Sequence, residues 1–296
     1  MIQESPVAFG DRQALSGILL EPRRPFREVA MLFLNAGIVH RVGPNRCHVS
    51  LARSLAEHGI ASLRFDLSGL GESEPASTDL GYNERVLGEV RSAMSLLAER
   101  LGIRKVALFG ICSGADSGLS IARVEPRVVG AILAEVYSAD SPSFAFRQKV
   151  ARVLYARTWG RALRDPITIA RGLARPWAGA SISTGIPAVE PSQDSPGELR
   201  GWKDVVRDIQ AVVGDSRRIL LVYSKNDISY YNFRHLLSRH LVEGPFLRVA
   251  VISGTNHTFA PRAAHEKLTQ VTVDWMLSLA DAEEASGRQR AHEVLV

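Results

Sequence analysis

The sequence predicts an α/β fold in which a mostly parallel sheet is covered by helices on both faces. Three observations predict it. Short apolar runs alternate with stretches of helical period through most of the 296 residues. The chain opens with two short strands across a tight turn. A Gly-Ile-Cys-Ser-Gly pentapeptide, residues 110–114, stands where one apolar run stops and a run of small residues begins.

In order, residues 7–9 and 15–20, parted by Gly10 and Asp11, read as an antiparallel hairpin at a sheet edge. Residues 29–34 read as a buried strand. Residues 49–58 have helical spacing, with Leu51, Leu55 and Ala56 on one face, and 60–65 form the next short strand. A helix is predicted over 83–101, where Val86, Val90, Met94, Leu97 and Leu101 recur at three- and four-residue steps. Residues 106–109 and 128–136 continue the sheet. So do 218–223 and 247–252, each followed by a helical segment, the last over 265–279.

The rhythm breaks between 138 and 202. No strand is convincing there, but 144–159 and 161–173 have helical spacing, and 180–201 is rich in Ser, Pro and Gly. The expected organisation is therefore a core of 1–137 and 203–296 with a helical cap, or lid, inserted at 138–202. Arg147, Lys149, Arg152, Arg157, Arg161, Arg164, Arg171 and Arg175 make the cap basic. A solvated helix face accounts for that charge, and a docking surface for an acidic partner is the sharper alternative. Phe144, Phe146, Tyr155, Trp159 and Trp177 are expected to pack within it.

Composition narrows the functional classes. With 46% hydrophobic and 23% charged residues the chain can bury a core, and no disorder class applies. The first residues have an acid and no apolar run, unlike a secretory signal, and no stretch is long enough to span a bilayer, so a cytoplasmic location is expected. The two cysteines give no disulfide framework, and Cys47 lies in a polar segment. The net charge of +5 comes from scattered arginines rather than a basic run, which argues against nucleic-acid binding.

The pentapeptide carries the chemistry. Glycines two residues before and two after Cys112 let the backbone bend sharply between strand and helix, so the central side chain is presented as a nucleophile. The rival readings are a buried thiol acting as apolar filler and an inactive relic. Ser113 lacks the flanking glycines and is no alternative nucleophile.

These residues resemble an α/β-hydrolase. FGICSGAD, 109–116, matches the family's G-x-S-x-G elbow with Cys112 in the serine position, and RFDLSGLGES, 64–73, is similar to the segment after its fourth strand. NAGIVHRVGPNR, 35–46, further resembles hydrolases found beside bacterial exopolysaccharide-export and natural-product clusters. The resemblance implies the order nucleophile, acid, histidine along the chain. Asp227, in YSKND after the strand ending at Tyr223, is the candidate acid, with Asp140 its rival. His257, in SGTNHTF after the strand ending at Ile252, is the candidate base. Of the eight histidines, His58, His235 and His240 fall in helical stretches, whereas His40 stands in the loop after the third strand, where with Gly37 it could touch substrate. The family's two oxyanion donors map to the backbones of Ser113 and Ile38. Asp66, beside Gly69 and Gly71, is expected to hold a turn.

A thiol needs a histidine to take its proton, and a carboxylate fixes that ring's tautomer. The resemblance offers dienelactone hydrolases and polyhydroxyalkanoate synthases as relatives with a G-x-C-x-G elbow, both acting on esters or thioesters. Three readings follow: a thioesterase or esterase using a Cys112-His257-Asp227 triad; an acyltransferase or cyclase passing the acyl group to another acceptor; and a catalytically silent ligand-binding homologue. Substrate is expected as an acyl ester or thioester, delivered in one version by an acidic acyl carrier protein at the basic cap. No cofactor is required. Cys112, His257 and Asp227 could ligate zinc, but the elbow favours nucleophilic use. A homodimer is compatible with the edge strand and cap.

Overall fold

The computed structural model describes residues 2–22, 26–76, 79–137 and 201–294. The cap at 138–202 lies almost wholly outside them, and with it Asp140, the arginine-rich helices and the aromatic cap residues. The chain separates into two units, Met1–Ala139 with Pro196–Val296, and Asp140–Ser195.

Eight strands form one sheet: β1 Gln3–Phe9, β2 Leu15–Glu21, β3 Val29–Phe33, β4 Ser62–Phe65, β5 Lys105–Ile111, β6 Val128–Ala134, β7 Arg218–Ser224 and β8 Leu247–Ile252. Their spatial order is β1-β2-β4-β3-β5-β6-β7-β8. The β1–β2 and β2–β4 pairings are antiparallel and the remainder parallel. Numbered among the described residues, the helices are α1 Cys47–Glu57, α2 Tyr82–Leu101, α3 Ser113–Val124, α4 Trp202–Gly214, the short α5 Ile228–Asn232, and α6 Arg262–Val294. No helix among the described residues is long and apolar enough to cross a membrane.

The central strands read as continuous apolar runs because both of their faces are covered. On one side Val90, Leu97, Leu119, Ile209 and Val212 from α2, α3 and α4 pack on Leu32, Leu108, Leu133 and Leu221. On the other, Leu51 and Leu55 of α1 and Leu268, Trp275, Met276 and Leu279 of α6 pack on Met31, Phe109, Ile132 and Leu220. This double cover fixes the sheet rigidly. The parallel strands therefore deliver their carboxyl ends to a single edge, where open α/β folds hold their sites.

The structure departs from the sequence reading in five places. The strand read as 128–136 ends at Ala134, because Glu135 adopts φ 56° and turns the chain. The last helix runs over Arg262–Val294 rather than 265–279. Helix α4 is absent from the sequence expectation, although Val205, Ile209 and Val212 recur at helical steps and are buried. Cys47, placed by its neighbours in a polar segment, is fully buried in the core at the start of α1, and burial pushes its thiol up to about 12. His240, expected in a helix, lies in the turn after it.

Candidate active site

Cys112 joins β5 to α3 with φ 56° and ψ −121°, a bend that side chains rarely tolerate. The flanking glycines make it possible. A Cβ on Gly110 would collide with the Gly114 carbonyl, and one on Gly114 would lie 2.5 Å from the carbonyl oxygen of Asn35. The bend is held by Cys112 N–H donating to Ala134 O at 2.9 Å and by Ala115 N–H donating to Cys112 O at 2.8 Å. Its thiol is partly exposed, unlike that of Cys47.

Asp227 follows β7 and caps α5, accepting from Ser229 N–H at 3.2 Å. His257 follows β8. Its loop is tied from within by Asn256 Oδ1, which accepts from Thr258 N–H and Ala260 N–H, each at 3.2 Å. From outside, Asn45 Nδ2 donates to Thr258 O at 3.2 Å. His257 Nδ1 then lies 3.2 Å from Asp227 Oδ1, with the two side chains 31% and 19% exposed. The Cys112 side chain is close enough to the same ring to favour its charged form. Burial opposes a charged imidazole, but the hydrogen bond to Asp227 and the influence of Cys112 and the Asp227 charge outweigh it, and His257 is pushed up to about 10. Burial likewise works against ionised Asp227, yet the bonds from His257 and Ser229 hold it below the usual carboxylate range.

The loop after β3 lies across from the elbow. Val39 N–H donates to Ala36 O, making 36–39 a tight turn with Gly37 at φ 57°. Gly37 N–H is committed to Ser113 Oγ at 2.8 Å, so Ser113 clamps this turn against the start of α3. Ile38 is 82% exposed at its tip, and His40 is exposed beyond it. Asp66 braces the loop: it accepts from Asn35 Nδ2 at 3.3 Å, from Arg41 N–H at 2.5 Å and from Glu72 N–H at 3.3 Å, and it pairs with the Arg41 guanidinium. Asp66 therefore holds its own turn and the 35–41 loop together.

One residue of this region escaped the sequence reading. Glu135, fully buried at the end of β6, accepts from Ser224 N–H at 2.6 Å and bonds to the Ser229 hydroxyl, directly behind Asp227. Its signal in the sequence is an acid in the otherwise apolar run AILAEV, 131–136. Glu135, Asp227 and His257 each bring one potential ligand atom within 4.8 Å of the others, a spacing that could hold a metal ion, although their atoms are engaged in the hydrogen bonds just described.

A doubly covered sheet, a sharp strand-to-helix bend at its centre and an Asp–His pair on the loops after β7 and β8 define an α/β-hydrolase. A family described as "Alpha/beta hydrolase family" matches residues 31–270, and the chain belongs to it. Among proteins of curated function, none matches in sequence. Solved structures share the fold at low identity. The dienelactone hydrolase of Anabaena variabilis is 16% identical with a TM-score of 0.58, over 93% of this chain and 97% of that one. The proline iminopeptidase of Mycobacterium smegmatis is 18% identical with a TM-score of 0.62, over 95% and 100%. The thioesterase domain from the curacin biosynthetic pathway is 16% identical with a TM-score of 0.50, over 92% and 99%.

Proposed function

We propose that the protein is a cysteine-nucleophile hydrolase that cleaves an activated acyl ester or thioester with Cys112, His257 and Asp227. The observation that carries this reading is the His257 ring, held by Asp227 at Nδ1, together with a partly exposed thiol presented at the strand-to-helix bend. Among solved neighbours, a dienelactone hydrolase and a thioesterase domain are consistent with it.

The steps follow from the groups. His257 takes the thiol proton, and an imidazolium so raised keeps the thiolate paired beside it. The sulfur attacks the acyl carbon, forming a C–S bond and placing charge on the carbonyl oxygen. Backbone N–H groups of Ser113 and Ile38 are the donors for that oxygen, one donor being worth about 3–4 kcal/mol of barrier. Gly37 N–H is spent on Ser113, so its part is to present Ile38. The intermediate collapses as the C–O or C–S bond to the leaving group breaks, and His257 returns the proton to the departing oxygen or sulfur. Water then attacks the acyl-enzyme, giving its proton to His257. Thiolate departure releases the acid.

Intact-mass measurement on protein exposed to short acyl thioesters tests the proposal. A gain of one acyl group in the wild type, absent from Cys112→Ala and decaying in water, is the expected result. An acyl-enzyme stable in water but discharged by an added amine or alcohol would assign the site to acyl transfer instead. Absence of any adduct would overturn covalent catalysis.

A further inference from the structure

Behind the Asp–His pair the hydroxyl of Ser229 meets two carboxyl groups. It bonds to Glu135 Oε2, and it lies 3.2 Å from Asp227 Oδ1, which also accepts the Ser229 N–H. All of Ser229 is buried, as is Glu135. A serine hydroxyl carries one proton. With both carboxyls ionised, one of its two contacts would set oxygen against oxygen with no hydrogen between them, and on the Glu135 side that contact is fully buried, where an unmet acceptor is costly. One additional proton removes the conflict. Asp227 is not its holder, because it already accepts from the Ser229 N–H and faces the His257 ring, an arrangement that suits a carboxylate. Glu135 is what remains.

We infer that Glu135 holds a proton and acts as a positioning residue for the Asp227–His257 pair, its O–H donating to Ser229 Oγ so that the Ser229 hydroxyl donates onward to Asp227. Asp227 then receives donors from Ser229 and His257 together, and its orientation is fixed before any substrate arrives. The backbone agrees with a site under constraint: Glu135 sits at φ 56° and Tyr137 at φ 60°, conformations that persist only where the surroundings impose them. Burial pushes the Glu135 carboxyl up to about 8; the charge of Asp227 works the same way, against the Ser224 hydrogen bonds and the charge of His257. The titratable groups facing it are Asp227 at the start of α5, His257 before α6, and the buried Tyr223 of β7, itself pushed up by burial and then by the charges of Glu135 and Asp116.

The catalytic consequence rests on the function proposed above, but the proton does not, and the experiment separates the two. Infrared difference spectra of the full-length wild type across the neutral-to-alkaline range should show an un-ionised carboxylic acid disappearing near pH 8, a band that Glu135→Gln lacks. Ring resonances of labelled His257 should show a matching step in the wild type and none in Glu135→Gln. In turnover, Glu135→Ala should lose about tenfold in kcat with KM unchanged, and Glu135→Gln, whose amide N–H replaces the acid O–H toward Ser229, should recover most of that loss. Absence of the carboxylic-acid band from the wild type at neutral pH would overturn the inference whether or not the protein turns over thioesters. So would a His257 titration that is the same in wild type and Glu135→Gln.

Discussion

Two thiols in one chain are made chemically unequal by their surroundings. Cys47 is sealed in the core beneath α1 with its thiol pushed up to about 12, so it has neither access nor ionisation to react. Cys112 stands at the bend, partly exposed, at the start of α3. Native protein is expected to take one equivalent of iodoacetamide, mapped to Cys112 by peptide mass, and a second only after denaturation; prompt labelling of Cys47 in the native state would contradict the burial described. The places of Cys112 and His257, after β5 and after β8, were legible from the sequence because each follows a short apolar run. His48 illustrates the contrast. It is wholly buried, with its ring 5.1 Å from Phe33 and 5.6 Å from Phe109, and burial pushes it down to about 3, a packing histidine. Glu135 was not legible, since its role depends on which strand lies next to which. β6 and β7 pair in parallel, and only that register sets Glu135 against Ser224 and Ser229.

At the scale of elements, the site depends on close backbone approaches that glycine alone permits. Gly114 lets the first turn of α3 lie against Asn35, which also braces the 35–41 loop through Val39 O and Asp66. Gly114→Ala should therefore act on two elements at once, displacing the loop that carries Ile38 and lowering stability by about 1–3 kcal/mol, the usual range for overpacking. Denaturant titration and acylation rate measured on the same variant check this. Full stability with unchanged acylation would mean that α3 shifts freely and that the loop is not fixed by it. The strands and the helices other than α4 and α5 were readable from periodicity, and the glycine spacing announced the bend. Helix ends were less so. The amphipathic spacing weakens after Leu279, where α6 leaves the core and its contacts become ion pairs such as Arg27 with Asp281 and Glu284 and Lys105 with Glu283.

For the whole molecule, the proton on Glu135 links the site to global stability. A carboxyl raised from 4.5 to about 8 by folding binds a proton in the native state that the unfolded chain has released, so between those two values the native state holds more protons than the unfolded one. Stability then falls as pH rises through that window, the opposite of the behaviour of a carboxylate stabilised by an ion pair. His257, raised from 6.5 to about 10, adds a stabilisation that is fully present below 6.5 and lost as pH rises through 10, so the wild-type curve alone does not separate the two. The difference between wild type and Glu135→Gln does, because the Asp227 bond that raises His257 is kept in both and only the Glu135 proton is removed. Urea unfolding at a series of pH values should show the wild type losing ground to the variant between 4.5 and 8, and a constant offset above 8. A difference that is flat from 4.5 upward would mean that folding leaves the Glu135 carboxyl where the unfolded chain has it, and that the buried acid behind Asp227 is ionised like any other.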